Sequence, residues 1–251
     1  MKTYDRWDGL VIGMASLTNA CLENQINVPY YILRPDNVSL FIPKGKVLDD
    51  TAEMWLNSFD GYIRQKNNNQ ILSEEERIVL TYFYKSERLN REEKFTVLLT
   101  PDNNHFTVIA DLENKGLIFR AETAQSIYPI FLIDRQLIQT DFTNELRDFF
   151  GPAYDGLGLG YQEVLNTVWL FNKFGSKDKQ VSANLIGEYL FLKKHGGILD
   201  ARIYDDYRRK IRNIVNRLEG YHFLVRKTGN KPDFTVNPNF KDSKLAASWS
   251  K

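Results

Sequence analysis

One segment constrains the fold more than any other: "DDYRRKIRNIVNRLEGYHFLVRKTGNKPDFTV", Asp205 to Val236. A helix turns about 100° per residue, and on that wheel Tyr207, Ile211, Ile214, Val215 and Leu218 share one narrow face. Such a face must pack against other elements. Arg202, Arg209, Arg212, Asn213 and Asn216 fall opposite it, with Arg208, Lys210 and Arg217 on the flanks. The pattern predicts a helix from about Arg202 to Glu219. Two apolar runs follow, "YHFLVRK" and "DFTVNP", turning through "TGNKP". They predict a β-hairpin that carries Arg226, Lys227 and Lys231.

Two helices are expected before the basic one. "YQEVLNTVWLFNKF" is the first, and "SANLIGEYLFLKKHGG" is the second, with Ser182 as N-cap and Gly196 as stop. Three helices and a two-stranded wing are the element order of a winged helix-turn-helix.

The same order is read earlier in the chain. "LSEEERIVLTYFY" has capping-box spacing at Ser73 and Glu76. "NREEKFTVLL" and "NNHFTVIADLENKGLI" read as two more helices, the last stopping at Gly116. "LIFR" and "YPIFLI" then read as strands, and "TDFTNELRDFF" as a further helix. The N-terminal part reads as a helix over "LVIGMASLTNACLEN" and a hairpin of "VPYYIL" and "VSLFIP" turning at "RPDN". A helix over "DDTAEMWLNSFDGYI" closes it. "RQKNNNQ" and "GPAYDGLGLG" look like joints. The expected fold is therefore α+β and mostly helical, with tandem winged helix-turn-helix units after an N-terminal helix-hairpin unit. The expected divisions are 1–70, 71–150 and 151–251.

Charge separates the units further. The chain's formal net charge is +1, yet from Ser176 onward 16 Lys and Arg face 8 Asp and Glu. The preceding residues are acidic on balance. A local basic region predicts a local anionic partner rather than a chain that coats nucleic acid along its length. Arg pairs bidentately with guanine and Asn with adenine, and both hold phosphates. The DNA-contacting set is therefore Arg202, Arg208, Arg209, Lys210, Arg212, Asn213, Asn216, Arg217, Arg226, Lys227 and Lys231. A solvated surface helix shows the same opposition of charge and apolar stripe, and Asp205 lies near the basic face. The outward positions of the corresponding earlier helix are Asn104, Thr107, Asp111 and Asn114, with Glu113 beside them. They repel phosphate and suit a structural or protein-contact role.

Signals for chemistry are sparse. His105, His195 and His222 are too far apart for metal-ligand spacing. Cys21, the only cysteine, sits in an apolar run and reads as a small core residue. "GLGLG" lacks the Lys-Ser/Thr ending of a phosphate loop and reads as a hinge at Gly156, Gly158 and Gly160. "PDNVSLFIPKGK" sets Asp36 before Lys44 and Lys46, without the acidic residue a nuclease motif places next to its lysine. No enzyme, no cofactor and no metal is expected. No apolar run has the length of a membrane span, and no signal peptide is read, so a cytoplasmic location is expected.

The string "TNACLENQINVPYYILRPDNVSLFIP" resembles the end of the ATP-binding-like domain in RecG-like, Schlafen/AlbA-type transcriptional regulators. Ala20, Cys21, Glu23, Asn24, Pro29 and the hairpin carry the resemblance, over about the first 45 residues. The body of that domain has no counterpart here, so no nucleotide site is transferred. The resemblance implies DNA-linked regulation. The expected partners are double-stranded DNA and a homodimer mate or a partner protein. The alternatives are a tandem winged-helix interaction scaffold within a larger complex, and a nuclease with winged recognition units.

Overall fold

The computed structural model describes residues 16–96, 105–121, 130–198, 200–227 and 232–240. The fold is α+β and mostly helical. It divides into two compact units, the first comprising 1–52 and 63–138, the second 53–62 and 139–251.

In the first unit, a helix over 16–23 (α1) precedes the hairpin of β1 (Tyr30–Arg34) and β2 (Asn37–Phe41). The strands pair from Tyr30↔Phe41 to Arg34↔Asn37, leaving Pro35 and Asp36 as the loop where the sequence places it. α2 (Asp50–Ser58) and α3 (Asp60–Lys66), whose residues 53–62 belong to the second unit, replace the single helix expected over "DDTAEMWLNSFDGYI", with the break at Phe59. Phe59 is fully buried in the second unit against Phe174, 5.3 Å between ring centroids. "RQKNNNQ" is an ordered turn rather than an open joint. Asn68 and Asn69 take positive φ, and buried Asn67 donates to the carbonyls of Gln70 and Ile71 at 3.1 and 3.2 Å.

α4 (Glu74–Arg91) starts at the anticipated capping box. Ser73 Oγ accepts from the Glu76 N–H, and the Glu76 carboxylate accepts from the Ser73 N–H. Its face of Ile78, Val79, Leu80, Tyr82 and Phe83 is buried. The sequence reading fails at "NREEKFTVLL". α4 ends within it, Glu93 turns at φ 58°, and Phe95–Thr96 forms β3 beside β1. Cross-strand packing of Phe95 on Tyr31, at 5.7 Å, outweighs the local helical pattern. Residues 97–104, including Asn104, lie outside the described residues. α5 (Phe106–Asn114), β4 (Ile118–Ala121) and β5 (Ile130–Ile133) follow, the last two antiparallel as expected. Gly116 follows α5 with φ +66°, where the stop is expected. A 3-10 turn, Arg135–Ile138, ends the unit. Cys21 is buried, in line with a core role.

In the second unit, α6 (Thr143–Phe150) and the one-turn α7 (Pro152–Asp155) lead into α8 (Leu159–Phe174). The glycine-rich stretch expected as a hinge is fastened down. Tyr154 is fully buried, and Gln162 of α8 donates to the carbonyls of Tyr154 and Leu157, both at 3.1 Å. Gly158 is the N-cap of α8, and Gly160 lies within it. α9 (Ala183–His195) and α10 (Ala201–Gly220) complete the helices, and β6 (Leu224–Arg226) and β7 (Phe234–Val236) form the closing hairpin. Phe150, Phe223 and Phe240 meet in one aromatic cluster with centroids 4.5 to 5.0 Å apart.

Two measurements test these supports. Burial alone would raise the Glu76 carboxyl. Its hydrogen bonds to Lys115 and Ser73 overcome that and hold it below its ordinary 4.5. The stabilisation is therefore present above pH 4.5 and lost as pH falls through the lower folded value. Glu76→Gln should cost about 1 kcal/mol in urea unfolding at pH 7, and the gap to wild type should close on acidification. Separately, a Cβ on Gly61 would overlap the Gly175 carbonyl oxygen and lie 2.8 Å from the carbonyl carbon. Gly61→Ala should lower stability by about 1–3 kcal/mol in the same assay.

Candidate nucleic-acid interface

The site is built on α10. Asp200 caps it, its carboxylate accepting from the Arg202 and Ile203 N–H groups at 2.8 and 3.3 Å. Ile211, Ile214, Val215 and Leu218 are buried and Tyr207 is half-buried, the inward face that the wheel assigns. Burial of those four side chains is worth about 1.5–3 kcal/mol each, enough to fix which way the helix faces.

α9 and α10 lie side by side and antiparallel. Phe191 meets Tyr204 and Tyr207 at ring centroids 5.1 and 5.5 Å apart, Gly187 faces Arg208, and Asn184 meets Arg212. The contacts climb α10 as they descend α9, through about two turns of each. Gly187 permits this approach. A Cβ there would lie 3.3 Å from Arg208 Cγ and 3.4 Å from Arg208 Cα.

The hairpin behind the ridge is tied to α8 and to the α8–α9 loop. Asn172 of α8 donates to the Phe234 carbonyl at 3.3 Å and accepts from Thr235 Oγ1 and the Val236 N–H at 2.9 and 3.2 Å. The Phe234 N–H donates to the Val181 carbonyl, and Val181 N–H donates to Asp233, both at 2.9 Å. Residue 181 is thus tied to β7 by one backbone hydrogen bond and to the Asp233 carboxylate just before it by another.

The sequence-assigned residues separate into two groups. Arg202, Arg209, Lys210, Arg212, Asn213, Asn216 and Arg217 are exposed on α10. From Arg208 to Leu218 the helix holds five cations and no carboxylate. Arg212 donates to Asn184 Oδ1 at 3.2 Å and Arg217 to the Tyr161 hydroxyl at 3.0 Å, neutral partners that position a guanidinium without cancelling its charge. Among the described residues, Arg202, Lys210, Arg212 and Arg217 form no ion pair. Arg209 pairs with Asp206 at 3.5 Å, but both are well exposed, so the pair is weak and exchangeable.

The second group is engaged within the protein. Arg208 is half-buried, with its guanidinium over the Tyr204 ring at 5.2 Å and 3.8 Å from Asp205. Arg226 meets Glu219 through two contacts, 2.7 and 2.8 Å. Lys227 pairs with Asp233 at 3.3 Å. Lys231 lies outside the described residues. Sequence reasoning passed over Asp206, Glu219 and Asp233 as neutralising partners, and Asn184 and Tyr161 as positioning ones. Only Asp206 carried a signal, three residues before Arg209 on the same helix face.

The other sequence readings find plain places. His195 stacks on Phe191 at 4.4 Å, and buried His105 sits 3.1 Å from Glu75. Thr107, Asp111 and Asn114 of α5 are exposed, and Glu113 pairs with Arg120 at 3.7 Å. Among the described residues, no cluster of three metal-ligating side chains occurs, and no helix is long and apolar enough to cross a membrane. No protein-family model, curated protein or solved structure matches this chain.

The cap is open to a direct test. Asp200→Ala should cost about 1 kcal/mol of stability, read from the urea midpoint. It should also raise amide exchange in the first turn of α10 while leaving its centre protected.

Proposed function

We propose that this chain is a DNA-binding protein of the transcription-regulator type, and that α10 is its DNA-contacting element. The observation that carries the reading is the carboxylate-free stretch from Arg208 to Leu218, with Lys210, Arg212 and Arg217 exposed beside Asn213 and Asn216. A run of cations without carboxylates gains affinity by displacing counterions from phosphates. Arg and Asn on the same ridge add the capacity to read base edges. Its order, three helices and then a hairpin, and the Val181 contacts to β7 support the winged-helix reading of this unit, while the antiparallel packing of α9 on α10 departs from the steep crossing of a helix-turn-helix.

Asp205 and Asp206 tilt the docking. They place negative charge near the start of α10, so the C-terminal half of the ridge approaches the phosphates and the N-terminal turns stay clear. Arg209 supplies a secondary contact, and Arg202, in the first turn, stays clear with the rest of that end. Arg226 and Lys227 are offset by their acidic partners, and Arg208 packs against Gly187 of α9.

A second reading, a protein-docking platform, rests on the first unit. There Asp111 and Asn114 are exposed on α5 near exposed Phe106, which suits a protein better than a phosphate backbone. That role is compatible with DNA contact by the second unit.

Fluorescence-anisotropy titration of a duplex at several salt concentrations tests the proposal. Arg212→Ala with Arg217→Ala should weaken binding at least tenfold and lower the slope of log K against log salt by about 2. Arg226→Ala should leave the slope nearly unchanged. Equal slopes for wild type and the double variant would refute the assignment.

A further inference from the structure

The β1–β2 hairpin gathers several large apolar side chains in the open. Leu33, Val38, Leu40 and Ile42 are 50, 45, 48 and 53% exposed. Leu33 pairs with Val38, and Tyr31 pairs with both Leu40 and Phe95. Opposite residues of an antiparallel pair share a face, so Leu33, Val38, Leu40 and Tyr31 form one surface. Ile42 continues the alternation.

β2 is an edge strand. The sheet order is β2-β1-β3, and no other described strand pairs with the outer side of β2. Edges are ordinarily protected by charge, proline or a bulge. From Asn37 to Ile42 there is no charged residue and no proline, and the register with β1 skips no residue. The edge is neutral, mostly apolar and free of bulges, a template for another strand.

The charges flanking β2 identify that strand. We infer that β2 pairs with β2 of a second copy of this chain, antiparallel about a two-fold axis at Leu40. In that register Leu40 faces itself, Val38 faces Ile42, and Asp36 of one copy faces Lys44 of the other. Asp36 and Lys44 are both exposed and form no ion pair among the described residues. Centring the axis on Val38, Ser39, Phe41 or Ile42 instead sets Asp36 or Lys44 opposite an apolar residue. Of these registers only the one at Leu40 sets Asp36 opposite Lys44 and Val38 opposite Ile42, with Ser39 facing Phe41 and Asn37 facing Pro43 between them. The contact is self-complementary, as a closed two-fold interface requires. It joins two three-stranded sheets into one of six, a common size. The Asp36…Lys44 pattern, which makes no nuclease motif, thereby gains a role.

Sedimentation equilibrium of the full chain, without nucleic acid, at about 1–100 μM tests this. Wild type should be a dimer. Leu40→Lys, which brings like charges together on the axis, should raise the dissociation constant about 100-fold or more. Asp36→Lys and Lys44→Asp should each weaken the dimer several-fold, and the two combined should restore it. Far-UV circular dichroism establishes that each variant is folded. If Leu40→Lys does not fold, the charge-reversal series still decides, because those side chains are already in solvent. A monomeric wild type, a dimer indifferent to these changes, or a double variant that fails to recover would overturn the inference. The readout contains no DNA, so its failure is separate from failure of the α10 proposal.

Discussion

Burial of one apolar stripe on α10 is the constraint on which the second unit depends. Ile211, Ile214, Val215 and Leu218 cannot all leave water unless α10 lies against its neighbours with one particular rotation. That rotation forces every cation between Arg208 and Leu218 to the sides or the outside. The ridge is thus a consequence of the core. Charge alone would not hold it, since surface ion pairs such as Arg209–Asp206 contribute little. Gly187 sets the remaining variable, the distance between α9 and α10, by leaving room for the Arg208 backbone.

Electrostatics then divides the ridge into parts with different roles. Carboxylates of Glu219 and Asp233 claim Arg226 and Lys227 and offset their charge. Neutral groups, Asn184 and the Tyr161 hydroxyl, orient Arg212 and Arg217 without neutralising them. A guanidinium held by a neutral partner keeps its full charge toward solvent while losing some of its rotamer freedom. Less entropy is then lost when a phosphate binds. This is the physical basis for assigning contact to the C-terminal half of α10.

Much of the local structure was legible in the sequence, because it is fixed by neighbours along the chain. The capping box at Ser73 and Glu76, the N-cap at Ser182, the stop at Gly196 and the hairpin loop at Pro35–Asp36 depend on residues within a few positions of one another. The stripe of α10 was readable for the same reason. What escaped depends on distant partners. Phe95 is drawn into a strand by Tyr31, and Phe59 breaks a helical pattern because Phe174 receives it. Element order showed three helices and a hairpin but carried no information on how α9 and α10 lie together. The sequence likewise showed Arg208 on the helix and Arg226 in the hairpin as cations without revealing the Tyr204 ring or the Glu219 carboxylate that meet them in space.

The central claim, that the C-terminal half of α10 meets DNA, is tested most directly by backbone-amide NMR of the labelled chain during titration with a duplex. The account predicts shift changes concentrated at Lys210, Arg212, Asn213, Asn216 and Arg217, with small changes around Asp205 and across the first unit. Changes confined to the first unit, or an unaltered spectrum at saturating duplex, would contradict it.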